Sequence, residues 1–163
     1  MTAFFTARLD ILVAFFLSML PLIELRGGIP YAFFRGVPFP TAALVCFLGN
    51  LLPVPFILLF LRKAFEIMRR FAWTRKIVDW LERHARKRGD RFRKALWWGL
   101  VIVVALPIPL TGAWSGSLIS VVFDMPMRRA FPAILLGLLG VLGIMSAAFY
   151  LLPDVFSRLF FKV

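Results

Sequence analysis

Two residues in the first thirty could do chemistry, and they sit where a membrane-spanning chain has least reason to put them. Glu24 and Arg26 lie in Pro21-Leu-Ile-Glu-Leu-Arg-Gly-Gly-Ile-Pro30, at the end of the uncharged run Ile11–Ile23. A charge at the centre of a bilayer costs roughly 2.5–3.5 kcal/mol on insertion scales, so charged residues at that depth usually mark a polar cavity or an ion path. Burial favours the neutral carboxyl, whereas a neighbouring guanidinium favours the carboxylate. That opposition suits Glu24 to carry a proton and Arg26 to anchor an anion. On an intact helix an i, i+2 pair points apart. The two can therefore converge only where the backbone breaks, for which Gly27, Gly28 and Pro30 are the evident candidates. Three further groups could complete a polar site. Asn50 is an amide inside a long apolar run, followed by Pro53 and Pro55. Thr111, Gly112, Trp114 and Ser115 fall in a second proline- and glycine-punctuated stretch, Leu106–Gly116, and offer hydroxyls and an aromatic wall.

Other chemistry is poorly provided for. The single histidine, His84, lies among arginines and lysines, and Cys46 stands alone in an apolar segment. Such a set supplies neither a metal site nor a Ser/His/Asp arrangement. Cys46 reads as a small core hydrophobe. There is no G-x-x-x-x-G-K-[ST] string to cradle a nucleotide. Neither enzyme activity nor a cofactor is expected.

The elements that must position these residues are apolar. The chain has 163 residues, 61% of them hydrophobic, against roughly 45–50% in soluble domains, which reads as a single-domain all-α integral membrane protein spanning residues 1–163. Uncharged runs cover Gly36–Leu61, Ala95–Phe123 and Ala130–Pro153, each long enough for a helix needing about 20 residues to cross. The 13 residues of Ile11–Ile23 are too few. Pro21, Gly27, Gly28 and Pro30 in the first segment, and Pro107, Pro109, Gly112 and Gly116 in the third, break the middle of any continuous helix. Both segments are therefore expected to be re-entrant: helix in, a turn at membrane depth, helix out on the same side. Full crossings by 11–34 and 95–123 are the alternative. Aligning Pro38 with Pro126 also pairs Ala42 with Ala130, Leu48 with Leu136 and Gly49 with Gly137. A gap of two or three residues then sets Arg26-Gly27 near Thr111-Gly112. The chain thus reads as an inverted repeat of re-entrant hairpin plus transmembrane helix, 1–61 and 95–163, with a polar site between the broken segments. Gly137, Gly140 and Gly143 read as a helix-packing face.

Charge fixes part of the orientation. Residues 62–94 hold 13 of the 20 Lys and Arg, with 4 acids. A basic block between membrane segments is held in the cytoplasm by the positive-inside rule, which disfavours a nucleic-acid partner. Phe65, Met68, Phe71, Ala72, Ile77, Trp80, Leu81 and Ala85 recur at helical spacing, predicting a basic amphipathic helix on the inner leaflet that meets anionic lipid headgroups. The protein is expected to be multi-pass in the cell (inner) membrane, with 62–94 cytoplasmic. Charge alone does not say whether Arg128 and Arg129 share that face. Two half-crossings would gain cover from a second copy, pointing to a homodimer.

Pro21-x-x-Glu-Leu-Arg-Gly-x-Ile-Pro30, then Gly49-Asn50, then Pro107-x-Pro-x-Thr-Gly-Ala-Trp-Ser-Gly116 resembles the putative small multidrug export protein family, over essentially the whole chain. The second motif departs from it by lacking a glycine before Thr111. More remotely the layout resembles the DedA/VTT superfamily. These resemblances imply a membrane transporter of an amphipathic solute, or a translocase of lipid-linked phosphate carriers or phospholipids. In that reading Glu24 and Arg26 match the charged residues of the first hairpin, and Thr111–Gly116 the tip of the second.

Overall fold

The computed structural model describes residues 2–68, 89–108 and 111–151, and every regular element among them is helical. The order is α1 (Thr2–Met19), α2 (Glu24–Phe34), α3 (Phe39–Leu51), α4 (Val54–Met68), α5 (Gly89–Ala105), α6 (Ala113–Val122) and α7 (Met127–Leu151). The expected amphipathic helix centres on residues that lie outside the described ones. At its edges, 62–68 prolong α4 and 89–94 open α5, so the basic segment is not a separate loop over its whole length.

Two stretches are long and apolar enough to cross a membrane, Phe39–Ile67 with 29 residues and Met127–Leu151 with 25. The first is not a simple rod. Pro53 and Pro55 carry no N–H, so the carbonyls four residues earlier lose their helical donors. α3 accordingly ends at Leu51, and α4 restarts at Val54. The two spans run antiparallel. Phe39, opening α3, stacks on Phe149 near the end of α7, with ring centroids 4.1 Å apart. At the other end Arg62 of α4 donates to the Met125 carbonyl just before α7.

The other helices pair as hairpins, and of these α2 and α6, with 11 and 10 residues, are too short to cross. α1 and α2 pack on each other and on α3; α5 and α6 pack on each other and on α7. In the first hairpin Asp10 of α1 meets Arg35, just beyond α2, at 2.8 Å, so α2 runs back along α1 and the tip is Leu20–Ile23. In the second, the Trp97 indole of α5 donates to the Arg129 carbonyl at 3.0 Å. That contact places the base of α5 beside the start of α7. Arg128 and Arg129 thus lie at the same end as Arg62, Lys63 and Lys94, and Arg35 lies at the opposite end.

Glycines set the closeness of this packing. A Cβ on Gly28 would strike the Ser18 hydroxyl, one on Gly49 the Phe15 carbonyl, and one on Gly137 would come within 2.5 Å of Val104. Of the expected α7 packing glycines, Gly137 and Gly140 abut α5, while Gly143 meets nothing within 4 Å. Gly27, Gly28 and Pro30 do not form the break anticipated from sequence. They lie inside α2, which runs through them, because the glycines there serve close approach. Gly116 likewise sits within α6 against Val104.

The caps of the short helices repeat. After α2, Gly36 takes φ +82°, Gly36 N–H bonds Phe33 O, and Val37 N–H bonds Ala32 O. After α6, Asp124 takes φ +51°, Asp124 N–H bonds Val121 O, and Met125 N–H bonds Ser120 O. Both are left-handed C-caps of the Schellman type. Pro38 and Pro126 follow, and their carbonyls accept from Ala42 and Ala130 in turn. The spacing is 88 residues throughout, with no gap. Extended inward, it aligns Arg26 with Trp114 and Gly28 with Gly116, correcting the gapped pairing of Arg26-Gly27 with Thr111-Gly112.

The outer surface is apolar: Leu22 is 73% exposed, Phe56 69%, Phe60 73% and Ile102 57%. In water such a surface would aggregate; together with the two long spans it marks a membrane protein.

Candidate functional site at the junction of the hairpin tips

The tips of the two hairpins meet. Glu24 opens α2 with φ +50°, a left-handed conformation costing a non-glycine residue roughly 1–3 kcal/mol. This is the break that lets an i, i+2 pair converge, and it lies at Glu24 itself. Arg26 Nη1 donates to Glu24 Oε2 at 2.7 Å. The side chains are 11% and 3% exposed, so the pair is one of buried charges.

Each partner also reaches across to the second hairpin. Arg26 Nη2 donates to the Val104 carbonyl at 3.1 Å and to the Leu106 carbonyl. These carbonyls end α5, and Pro107 and its neighbours provide no continuing helix to satisfy them. The Glu24 carboxylate abuts Gly112, where any Cβ would collide with it, and the N–H groups of Ala113 and Trp114 face it. Gly112 makes no side-chain cap for α6. The carboxylate occupies the place of a capping anion, at the positive end of the helix dipole.

A reciprocal contact runs the other way. Trp114 Nε1 donates to the Met19 carbonyl, the last of α1, at 3.0 Å. Arg26 and Trp114 thus occupy matching positions in the 88-residue spacing, and each donates to the end of the opposite hairpin's first helix.

The other sequence candidates divide. Asn50 is fully buried in the last turn of α3, and neither Oδ1 nor Nδ2 has a partner among the described residues. Gly28 of α2 lies against Cys46 of α3. Four residues toward the tip on each antiparallel helix puts Glu24 and Asn50 at one level. Glu24 Oε1 and Arg26 Nε are likewise unpartnered among the described residues. The remaining hydroxyls are used locally: Thr111 Oγ1 donates within the turn to Ile108 O and Leu106 O, and Ser115 Oγ to Gly112 O. Gly27 faces Ile23, not the junction. Sequence reasoning missed Val104 and Met19 and reached Leu106 and Ala113 only as members of the Leu106–Gly116 stretch, since all four act through backbone atoms and leave no side-chain signature. It also missed Asp10, Ser18, Ser117 and Ser120, all buried. No group of three or more His, Cys, Asp or Glu able to hold a metal occurs among the described residues.

Residues 24–144 match the model of a family described as putative small multi-drug export protein. The match begins at Glu24 itself and takes in Arg26 and the whole second hairpin. No curated protein and no solved structure matches the chain significantly.

Proposed function

This chain belongs to the putative small multi-drug export protein family, and from that premise we propose that it is a small transporter moving an amphipathic solute, coupled to protons through Glu24 and Arg26. The observation carrying the reading is the buried ion pair joining the two hairpin tips. Breaking one partner of such a pair leaves an uncompensated buried charge. Protonating Glu24 would do this reversibly: Arg26 loses its counter-ion, α6 loses its capping anion, and the tips loosen. Deprotonation draws them together again. Asn50, at the same level, and the Thr111–Ser115 turn with Gly112 and Trp114 complete the solute's surroundings; Gly27 belongs to it only as part of α2.

In the bilayer, the hairpins are re-entrant and the halves form an inverted repeat. The lengths of their second helices support this: Glu24–Phe34 and Ala113–Val122, with 11 and 10 residues, extend about 17 and 15 Å, half of a core about 30 Å thick. So does the antiparallel pairing of the long spans. The end bearing Arg62, Lys63, Lys94, Arg128 and Arg129 faces the cytoplasm by the positive-inside rule, in the inner membrane, and a second copy covers the half-crossings.

Purified protein in liposomes, loaded with an amphipathic cationic dye and given a pH step, tests the coupling. Glu24→Gln is expected to slow dye movement at least tenfold and flatten its pH profile. An unchanged rate and profile overturns the reading. One observation favours a second reading, translocation of phosphate-bearing lipid carriers or phospholipids: the gathering of those five basic residues at one end, above an arginine at the junction. A scrambling assay with fluorescent anionic lipid separates the two, since only lipid translocation moves the lipid and requires Arg26.

A further inference from the structure

Six polar or charged residues are buried among the described ones: Asp10, Ser18, Glu24, Asn50, Ser117 and Ser120. They are not scattered. The α5–α7 interface, where Val104 meets Gly137 and Ala105 meets Gly140, contains none of them. Asp10 and Ser18 lie along α1, Ser117 and Ser120 along α6, and Glu24 and Asn50 between them at the hairpin junction.

From Glu24 toward the Arg35 end, they follow α1. Ser18 Oγ donates to Ala14 O at 2.8 Å, and Asp10 lies one further turn away, holding Arg35 and accepting from the Tyr31 hydroxyl at 3.5 Å. Residues 10, 14 and 18 share one helix face by their i, i+4 spacing. From Glu24 toward the Arg62 end, they follow α6. Ser117 Oγ donates to Ala113 O, and Ser120 Oγ to Ser117 O, each at 2.7 Å. The Ser120 carbonyl accepts from Met125 N–H, and the Met125 carbonyl accepts from Arg62. Each serine hydrogen is thereby committed to its own helix, leaving the oxygen lone pairs to accept. At the midpoint are the unpartnered atoms: Glu24 Oε1 and Asn50 Oδ1 as acceptors, and Asn50 Nδ2 and Arg26 Nε as donors. Donors and acceptors together are the complement of water, which is both; a desolvated metal ion would be met by acceptors alone.

We infer that these residues line a narrow hydrated route that carries the coupling proton between the two faces, with Asp10 and Ser18 on one side of Glu24 and Ser117 and Ser120 on the other. Arg26, held by Glu24, guards its middle against other cations. The route rests on the transporter reading and adds to it residues on both hairpins. The solute moves elsewhere at the junction.

The test uses the full chain in liposomes with Cys46→Ser and single replacements Ser18→Cys or Ser120→Cys, each an exchange of oxygen for sulfur. The probe is a charged, membrane-impermeant methanethiosulfonate added to one side at a time. Ser120→Cys is expected to react from the Arg62 face and Ser18→Cys from the Arg35 face, while Leu100→Cys, buried on α5 among apolar side chains, stays unmodified. Failure of both serine positions to react overturns the route, as does equal reaction at Leu100→Cys. A second measurement covers loss of folding: Ser117→Ala and Ser120→Ala are expected to slow proton uptake into pyranine-loaded liposomes severalfold, and unchanged uptake overturns the route. If the route fails while Glu24→Gln still abolishes pH-dependent dye movement, the transporter reading stands alone.

Discussion

The two hairpins finish alike and start differently. Gly36 and Asp124, Val37 and Met125, Pro38 and Pro126 make the same backbone bonds at a spacing of 88 residues. At the tips the same spacing sets Glu24 opposite Gly112 and Arg26 opposite Trp114. One half supplies a carboxylate and a guanidinium; the other supplies the space for the carboxylate, the N–H groups that face it and the carbonyls that hold the guanidinium. The two hairpins match at their caps and differ at their tips, one carrying the charged pair and the other its socket, and substitutions should divide along that line.

The largest effect is expected at Arg26. Arg26→Ala leaves Glu24 buried without its counter-ion and removes the donor to the Val104 carbonyl, which should destabilise the fold by about 3–5 kcal/mol, read as thermal unfolding in detergent. Its positional counterpart Trp114→Phe loses a single neutral hydrogen bond and should cost about 1 kcal/mol. Equal losses at the two positions would break the proposed asymmetry. Between them lies Gly112→Ala, whose methyl group enters the space of the Glu24 carboxylate; overpacking of this kind costs about 1–3 kcal/mol, and the same substitution should cost much less when made in a Glu24→Ala chain. The smallest effect belongs to the hairpin base. Asp10→Asn weakens a pair in which the Arg35 side chain is 56% exposed, so water screens it and the smallest shift in thermal unfolding is expected there.

Much of this was legible in the sequence, for physical reasons that also explain the rest. Charges beside prolines in an apolar run point to a polar junction whatever the fold, which is why Glu24, Arg26 and the Thr111–Gly116 stretch stand out. Prolines 38 and 126 announce helix starts, and so mark the repeat. Glycine is less informative, because a turn and a close helix contact call for it equally; Gly27 and Gly28 were read as the first and belong to α2. The left-handed Glu24 could not be foreseen, since it is held by contacts with residues about 80 to 90 positions away. The backbone ligands of the site, and serines whose hydroxyls bond their own helix, leave no pattern that distinguishes them from ordinary helix residues. The interruption of the first long span was signalled by Pro53 and Pro55, yet hydropathy averages over it and reads one rod.

The central claim is that the hairpins enter from opposite faces and meet at Glu24 and Arg26. Side-specific labelling of Arg35→Cys and Arg128→Cys, each in a Cys46→Ser chain in sealed vesicles, tests it most directly. Re-entrant hairpins place position 35 on the face opposite the 62–94 segment and position 128 on the same face as that segment, so the two label from opposite sides. Four full crossings would put both on the face away from 62–94. Labelling of both positions from that one side would contradict the account.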